Sequence, residues 1–172
     1  MSEQGPSNKP TGSRTKPNRS ASRTGAVQAL YQMDLVKTDL NAVIEEFVAH
    51  RFQGGDDDNP IKGADPVFFA EILRGVVRLQ RDIDPDIDNQ LAKGWRLVRV
   101  DSILRAILRA GSFELLERPD VPARVVINEY IEVAHAFFDG EEPKVVNGVL
   151  DRIARRVRES EFHDKPPGAV NG

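Results

Sequence analysis

Apolar residues recur at spacings of three and four along most of the chain, with polar residues between them. This period of about 3.6 residues is typical of helices that bury one face. No run of four or more residues alternates apolar and polar positions between turn residues, as a half-buried strand would. The pattern therefore predicts an all-α fold with about seven helices. They are expected at about 22–33, 39–48, 65–84, 85–93, 100–116, 122–137 and 143–158.

Individual residues indicate where several of these helices begin and end. Ser22 is a candidate N-cap of the first helix, because its hydroxyl can accept a hydrogen bond from a free N–H of the first turn. Pro66 follows Asp65 at a first-turn position that tolerates proline. Pro85 is expected to stop or sharply kink the third helix, since it lacks the N–H that a helix interior needs. Gly94 is the predicted end of the short fourth helix.

The charge is unevenly distributed along the chain. The net charge is −3 overall, but the first 25 residues carry a net charge of +4, which leaves −7 on the remainder. The first 20 residues contain almost no apolar side chains, so they cannot bury enough surface to offset the entropy of ordering. We therefore predict a disordered basic arm at 1–20, a helical domain at 21–160 and a flexible tail at 161–172. A basic arm can attract a polyanion by counterion release.

The composition argues against an enzyme. The chain has no cysteine, so it contains no disulfide, thiolate nucleophile or cysteine-based zinc site. Its three histidines lie far apart, and no Gly-rich phosphate loop or nucleophile elbow occurs. We expect no catalytic residue, no metal site and no cofactor. No apolar run approaches the roughly 20 residues that span a bilayer, so we expect a cytoplasmic protein that does not contact a membrane.

Four small or polar residues interrupt the apolar helical patterns. Gly111 and Gly148 each cost a helix roughly 1 kcal/mol relative to alanine, so we expect both to allow the close approach of a neighbouring helix. Asn128 and Asn147 lie among apolar residues, where an amide needs a hydrogen-bond partner, so we expect them to cap or bridge neighbouring helices. These residues indicate a closely packed bundle rather than a catalytic site.

Three segments of the chain resemble the NusB family of bacterial transcription antitermination factors. Residues 23–32 read RTGAVQALYQ, which is similar to the family's first helix, and residues 104–115 read LRAILRAGSFEL, which is similar to a later one. Residues 120–151 carry V-P-x-x-V-x-I-N-E followed by V-N-G-V-L-D, the most particular of the matches. Together with a looser match at 68–76, the segments cover most of residues 20–158.

The resemblance implies both a fold and a function. It implies two small three-helix bundles packed side by side. It also implies binding to boxA-type single-stranded RNA in ribosomal RNA leaders, and a complex with NusE, a small-subunit ribosomal protein that doubles as a transcription factor. That complex joins the elongating RNA polymerase with other Nus factors and suppresses premature termination.

The resemblance also indicates site residues, which fall into two groups. Single-stranded RNA is held by cations that pair with phosphates and by planar groups that stack on bases. The predicted RNA-binding residues are Arg14, Lys16, Arg19, Arg23, Gln28, Tyr31, Arg105 and Arg109. The predicted NusE-binding residues are Glu141 and Lys144. A half-buried core position for Tyr31 and a solvated helix surface for Arg105 and Arg109 are the alternatives.

The chain departs from the family's pattern at three places, one of which is the predicted partner contact, where the family's S-H-K-F reads Glu142-Pro143-Lys144-Val145. Its basic residues are spread over a leader rich in proline, serine and threonine, and the family's Y-E-L reads Phe113-Glu114-Leu115. Two other functions remain open. One is a helical adaptor that binds protein but not RNA, and the other is a detached RNA-binding module related to the N-terminal domain of ribosomal RNA cytosine methyltransferases. The sequence also leaves open whether the protein is a monomer or a homodimer.

Overall fold

Seven α-helices build the fold of residues 18–163, the part of the chain that the computed structural model describes. They are α1 (Arg19–Leu35), α2 (Leu40–Glu46), α3 (Pro66–Gln90), α4 (Ser102–Glu117), α5 (Ala123–Phe137), α6 (Glu142–Val157) and α7 (Glu159–His163). A π-helical turn, Phe47–Arg51, extends α2, and a 3-10 turn, Leu97–Arg99, precedes α4. The described range holds no strand, only one isolated bridge between Asn18 and Ala64. The predicted all-α class is confirmed.

Three aspartates begin helices at or next to predicted starts. The side chains of Asp39, Asp65 and Asp101 each accept a hydrogen bond from a backbone N–H in the first turn of α2, α3 and α4. Each carboxylate therefore satisfies an N–H group that has no partner within the helix. These local contacts explain why helix positions could be read from the sequence.

The first helix begins earlier than predicted. Asn18 is its N-cap, and the Asn18 side-chain oxygen accepts a hydrogen bond from the N–H of Ala21 at 3.0 Å. Ser22 is buried one turn into the helix, with its hydroxyl within hydrogen-bond distance of the carbonyl oxygens of Asn18 and Asp65. The predicted cap at Ser22 was therefore wrong, and Arg19 and Ser20 belong to the helix rather than to the arm.

The predicted stop at Pro85 was also wrong. α3 runs through this proline to Gln90, so the predicted third and fourth helices are one. Proline removes a single N–H donor from the helix. Ile83 and Ile87, on either side of it, are fully buried and hold the helix against the core. Burial of that shared face outweighs the lost hydrogen bond.

The last helix, α7, occupies residues that were predicted to fray. One carboxylate oxygen of Glu161 accepts a hydrogen bond from the N–H of Ala123 at 2.9 Å, and the other accepts one from Arg158 at 2.7 Å. Helical structure therefore continues to His163, past the predicted boundary at residue 160. The remainder of the predicted tail, residues 164–172, lies outside the described residues.

The helices form two bundles side by side, as predicted. α1, α2 and α3 make the first bundle, and α4, α5 and α6 make the second. α4 lies between them, since it packs against α1 and α3 as well as against α5 and α6. In the first bundle the rings of Phe47, Phe52 and Phe69 contact one another, with centroids 4.7 to 6.2 Å apart.

Close packing between helices leaves little room for a side chain at Gly111 and Gly75. A Cβ on Gly111 in α4 would lie 2.7 Å from the Leu150 side chain of α6, so the predicted close approach is confirmed there. At Gly75 in α3 the approach is closer, because a Cβ would lie 1.9 Å from the ring of Phe113 in α4. A side chain at either glycine would displace a packed neighbour.

Three residues that were predicted to mediate helix contacts lie elsewhere. Asn128 and Asn147 are exposed, and neither bridges two helices within the described residues. A Cβ on Gly148 would meet only the side chain of Arg152 in its own helix. All three predictions were wrong. A helix presents different faces within one turn, so a polar residue next to apolar ones in sequence can still face solvent.

We expect Gly75→Ala to lower the free energy of unfolding by about 1–3 kcal/mol, the usual cost of forcing extra volume into a packed core. Gly148→Ala is the matched control, because a Cβ has room there and alanine is about 1 kcal/mol better than glycine inside a helix. Denaturant unfolding followed by circular dichroism measures both variants. A Gly75→Ala protein as stable as the parent would mean that the Phe113 ring moves aside without cost.

Candidate nucleic-acid interface

One predicted cation, Arg19, lies at the surface where α1 begins. Its guanidinium carbon is 4.9 Å from the ring centroid of Phe68 in α3, which is a cation–π contact. Within residues 18–163 this exposed side chain forms no ion pair. Its N–H groups are therefore free to donate to a phosphate. Arg14 and Lys16, which were predicted for the same role, lie outside the described residues.

A second arginine, Arg118, contacts the same Phe68 ring but has its own counterions. It pairs with Glu71 and donates two hydrogen bonds of 2.8 and 2.9 Å to Asp120. These hydrogen bonds lower the pKa of Asp120 to about 2. The charge of Arg118 is thus balanced by two carboxylates. The sequence analysis did not identify Arg118 as a neighbour of Arg19. Its spacing of two residues from Asp120 could have indicated the ion pair.

Arg23 is a structural residue rather than a surface cation. It is 3% exposed and donates hydrogen bonds of 2.8 and 2.9 Å to the buried carboxylate of Glu114 in α4. Glu129 of α5 lies 3.7 Å away as a second counterion. Burial acts to lower the pKa of Arg23, but the hydrogen bonds that Arg23 donates to Glu114, together with the negative charges of Glu114 and Glu129, outweigh it and raise the pKa. The structure therefore corrects its predicted role as an RNA contact.

The phenol of Tyr130 in α5 lies in the same buried region. Burial, together with the negative charge of Glu114, raises the pKa of Tyr130 well above its usual value. The phenol therefore stays neutral beside the ion pair. Helices α1, α4 and α5 thus meet at one polar cluster, formed by Arg23, Glu114, Glu129 and Tyr130.

Arg105 and Arg109, which were predicted to extend the RNA contact along α4, are bound internally. Arg105 donates a hydrogen bond of 2.6 Å to Asp34 of α1 and others to carbonyl oxygens of the segment before α4. Arg109 donates two hydrogen bonds, of 2.9 and 2.8 Å, to Asp84 of α3. Both residues link α4 to the first bundle. A phosphate would have to displace these carboxylates, so the geometry does not support RNA binding by Arg105 and Arg109.

A groove beside α1 brings Gln28 and Tyr31 together. It encloses about 370 Å³ and is lined mainly by apolar side chains, among them Leu35, Ile103 and Phe137. Leu35 and Phe137 are also among the large apolar side chains that remain exposed. A concave apolar surface left in solvent is typical of a contact with another protein or a ligand. Gln28 and Tyr31 therefore lie in an apolar groove, apart from Arg19 at the start of α1.

The two predicted partner-binding residues, Glu141 and Lys144, lie at the start of α6. Both are exposed. The backbone N–H of Lys144 donates to the carbonyl oxygen of Glu141 at 3.0 Å, so the two residues belong to one turn. Phe137, which lines the groove, ends α5 only four residues before Glu141.

Two kinds of site are absent from residues 18–163. No three histidine, aspartate or glutamate side chains come together in this range as ligands for a metal ion. None of the described helices combines the length and the apolar composition that crossing a bilayer demands.

The chain is similar to proteins of one family. The family model for the NusB family matches residues 20–155. The chain is 49% identical over 153 residues to the transcription antitermination protein NusB of Rhodopseudomonas palustris (strain HaA2), which covers 89% of this chain and 90% of the relative. The structure of T. maritima NusB superposes with a TM-score of 0.70 at 29% identity, over 86% of this chain and 99% of that one. A structure of the antitermination factors NusB and NusE in complex with double-stranded RNA superposes with a TM-score of 0.66, over 80% of this chain and 96% of that one. Its sequence identity is 24%, so this likeness supports the fold alone.

We expect Glu114→Gln to lower the free energy of unfolding by about 3–5 kcal/mol, because it leaves the buried guanidinium of Arg23 without its carboxylate. The double variant Arg23→Met with Glu114→Leu is the control. It removes both charges and should recover much of the loss, since a buried pair can often be replaced by apolar side chains of similar volume. Thermal and denaturant unfolding measure both proteins. Equal stability of the parent and Glu114→Gln would contradict the structural role.

Proposed function

The chain belongs to the NusB family of transcription antitermination proteins, and on this premise we propose that it binds boxA-type single-stranded RNA in ribosomal RNA leaders together with NusE. The complex would join the elongating RNA polymerase with other Nus factors and suppress premature termination. The family match over residues 20–155 carries this proposal. The exposed cation Arg19, at the point where the basic leader meets α1, supports it independently.

The proposed RNA contact centres on the start of α1. Arg14 and Lys16 precede Arg19 in the sequence, and all three can pair with phosphates. Residues 1–17 then act as a basic arm that raises the affinity for RNA on a chain whose net charge is negative. Arg23, Arg105 and Arg109 are omitted from this set, because carboxylates of neighbouring helices already bind them.

The proposed NusE contact is the groove beside α1, continued by Glu141 and Lys144. Its apolar lining suits the side chains of a protein better than the phosphates of RNA. Gln28 and Tyr31 supply polar groups within it, and they remain candidates for RNA contact in a ternary complex. The groove also favours a second candidate function, a helical adaptor that binds protein but not RNA.

We expect the full chain with NusE to bind a boxA-like RNA more tightly than a scrambled RNA, as measured by fluorescence anisotropy. Removal of residues 1–17 should weaken binding. Arg19→Ala should reduce the magnitude of the slope of log K against log salt by about 0.7, the value for one lost contact with a single-strand phosphate. Arg155→Ala is the control, because Arg155 is exposed on α6 and pairs with Asp151. Equal affinity for both RNAs, with and without NusE, would favour the adaptor.

We expect Val36→Asp to weaken NusE binding at least tenfold, because it introduces a charge into the apolar groove. Val67→Asp is the matched control, since Val67 is exposed to a similar extent (76% against 64%) but lies on α3 outside the groove. Isothermal titration calorimetry with purified NusE measures both variants. Equal affinities of the two would exclude the groove as the docking site.

A further inference from the structure

The segment between α3 and α4 combines an exposed aromatic ring with three cations. Trp95, the single tryptophan of the chain, is 39% exposed there. Lys93, Arg96 and Arg99 flank it and are all exposed. This combination of stacking surface and positive charge is typical of proteins that hold single-stranded nucleic acid. We refer to residues 92–99 as the Trp95 loop.

Internal hydrogen bonds fix the backbone of the Trp95 loop. The N–H of Leu97 donates to a carboxylate oxygen of Asp88 at 2.8 Å, and the Leu97 side chain is buried. Arg105 donates to the carbonyl oxygens of Leu97, Val98 and Val100 at 2.9 to 3.2 Å. These contacts hold the loop on the end of α4. The ring and the cations are therefore presented on a fixed backbone, which lowers the entropic cost of binding.

The three cations of the loop have no counterions in the described part of the chain. Lys93, Arg96 and Arg99 form no ion pair or side-chain hydrogen bond there, whereas the nearby Arg105 pairs with Asp34. The closest carboxylates along the sequence have other partners. Asp88 accepts from the N–H of Leu97, and Asp101 accepts from that of Ile103. The loop thus presents three cations without ion pairs in the described range, on a protein of negative net charge.

A recess of about 350 Å³ lies between the Trp95 loop and the start of α6. Trp95, Arg96, Arg99 and Leu104 line one part of it, and Asp101 and Glu142 contribute carboxylates. The Glu142 oxygen Oε2 is buried and has no hydrogen-bond partner among the described residues. This oxygen lies against Gly140. A buried acceptor without a donor is costly, so a rotation of the Glu142 side chain that brings its carboxylate to N–H groups of a ligand in the recess would stabilise it.

We propose that the Trp95 loop and this recess bind one unstacked base of single-stranded RNA. The Trp95 ring stacks on the base, Arg96 and Arg99 pair with the adjacent phosphates, and the Glu142 carboxylate accepts hydrogen bonds from the amino or imino groups of the base. The amino groups of cytosine, adenine and guanine are donors of this kind.

The proposal rests on the proposed RNA binding and adds a second contact far from the first. Arg19 of α1 lies near the C-terminal end of α4, where Arg23 pairs with Glu114. The Trp95 loop precedes the N-terminal end of α4. The two ends are separated by about 20 Å at the helical rise of 1.5 Å per residue. A strand that reaches both contacts therefore crosses the body of the protein rather than binding its basic leader alone.

Tryptophan fluorescence tests the proposal on the full chain, since all of the signal comes from Trp95. Titration with a boxA-like RNA, with and without NusE, should quench the fluorescence with the same midpoint as the anisotropy of the labelled RNA. Trp95→Ala should lower the affinity by about 5- to 100-fold, the usual effect of losing one stacked base. Trp95→Phe, which keeps a ring, should retain most of the affinity and shows whether the loop tolerates substitution.

The charged side chains supply a second readout. Arg96→Ala combined with Arg99→Ala should reduce the magnitude of the slope of log K against log salt by about 1.4, because each lost phosphate contact removes about 0.7. Arg81→Ala is the matched control, because Arg81 is also exposed without an ion pair in the described range but lies on α3. Glu142→Gln should weaken the preference for RNA with amino-bearing bases over oligouridine.

Three results would overturn the proposal, and they are distinguishable. If RNA binds by anisotropy while the fluorescence and the Trp95→Ala affinity stay unchanged, RNA binding stands but the Trp95 loop takes no part in it. If NusE alone changes the fluorescence and RNA does not, the recess is a protein contact. If no RNA binds under any condition, the proposed function fails together with this inference.

Discussion

The buried ion pair between Arg23 and Glu114 is the contact on which the arrangement of the two bundles depends. Removing two charges from water costs several kcal/mol per ion, and this cost is offset only when the geometry is good and the remaining hydrogen bonds are satisfied. Here the pair is doubly hydrogen-bonded, and Glu129 adds a second negative charge. The contact joins α1 of the first bundle to α4 of the second. It also fixes the rotation of α1, which places Arg19, one turn earlier on the same face, over the same Phe68 ring as Arg23.

Most of the other arginines near this interface are likewise used to hold helices together. Arg105 and Arg109 attach α4 to α1 and α3 through Asp34 and Asp84. Arg158, which follows α6, donates to the carbonyl oxygens of Glu114 and Leu115 at the end of α4. A phosphate meets a balanced charge at each of these residues. Exposed cations without an ion pair in the described residues include Arg19 at the start of α1 and the three of the Trp95 loop.

Helix α1 has different chemistry at its two ends. Its first turn carries the exposed Arg19, and its C-terminal half lines the apolar groove with Tyr31 and Leu35. These ends are about 25 Å apart for a helix of this length. A phosphate at Arg19 would then not compete with a protein side chain in the groove. Because the helix is held by its buried pair, both surfaces keep a fixed position relative to each other.

The sequence by itself determined the helical class, most helix positions and the family. Apolar periodicity is a local property, and it predicted α2, α3 and α4 to within a few residues at their starts. Only the tertiary structure decided what each charged side chain contacts. Arg23 and Glu114 are 91 positions apart, so no local pattern could reveal that they pair, and the same holds for Arg109 and Asp84. Periodicity indicates which helix face is apolar. Whether a long charged side chain pairs internally or stays in solvent depends on which carboxylate the fold brings within about 3 Å of it.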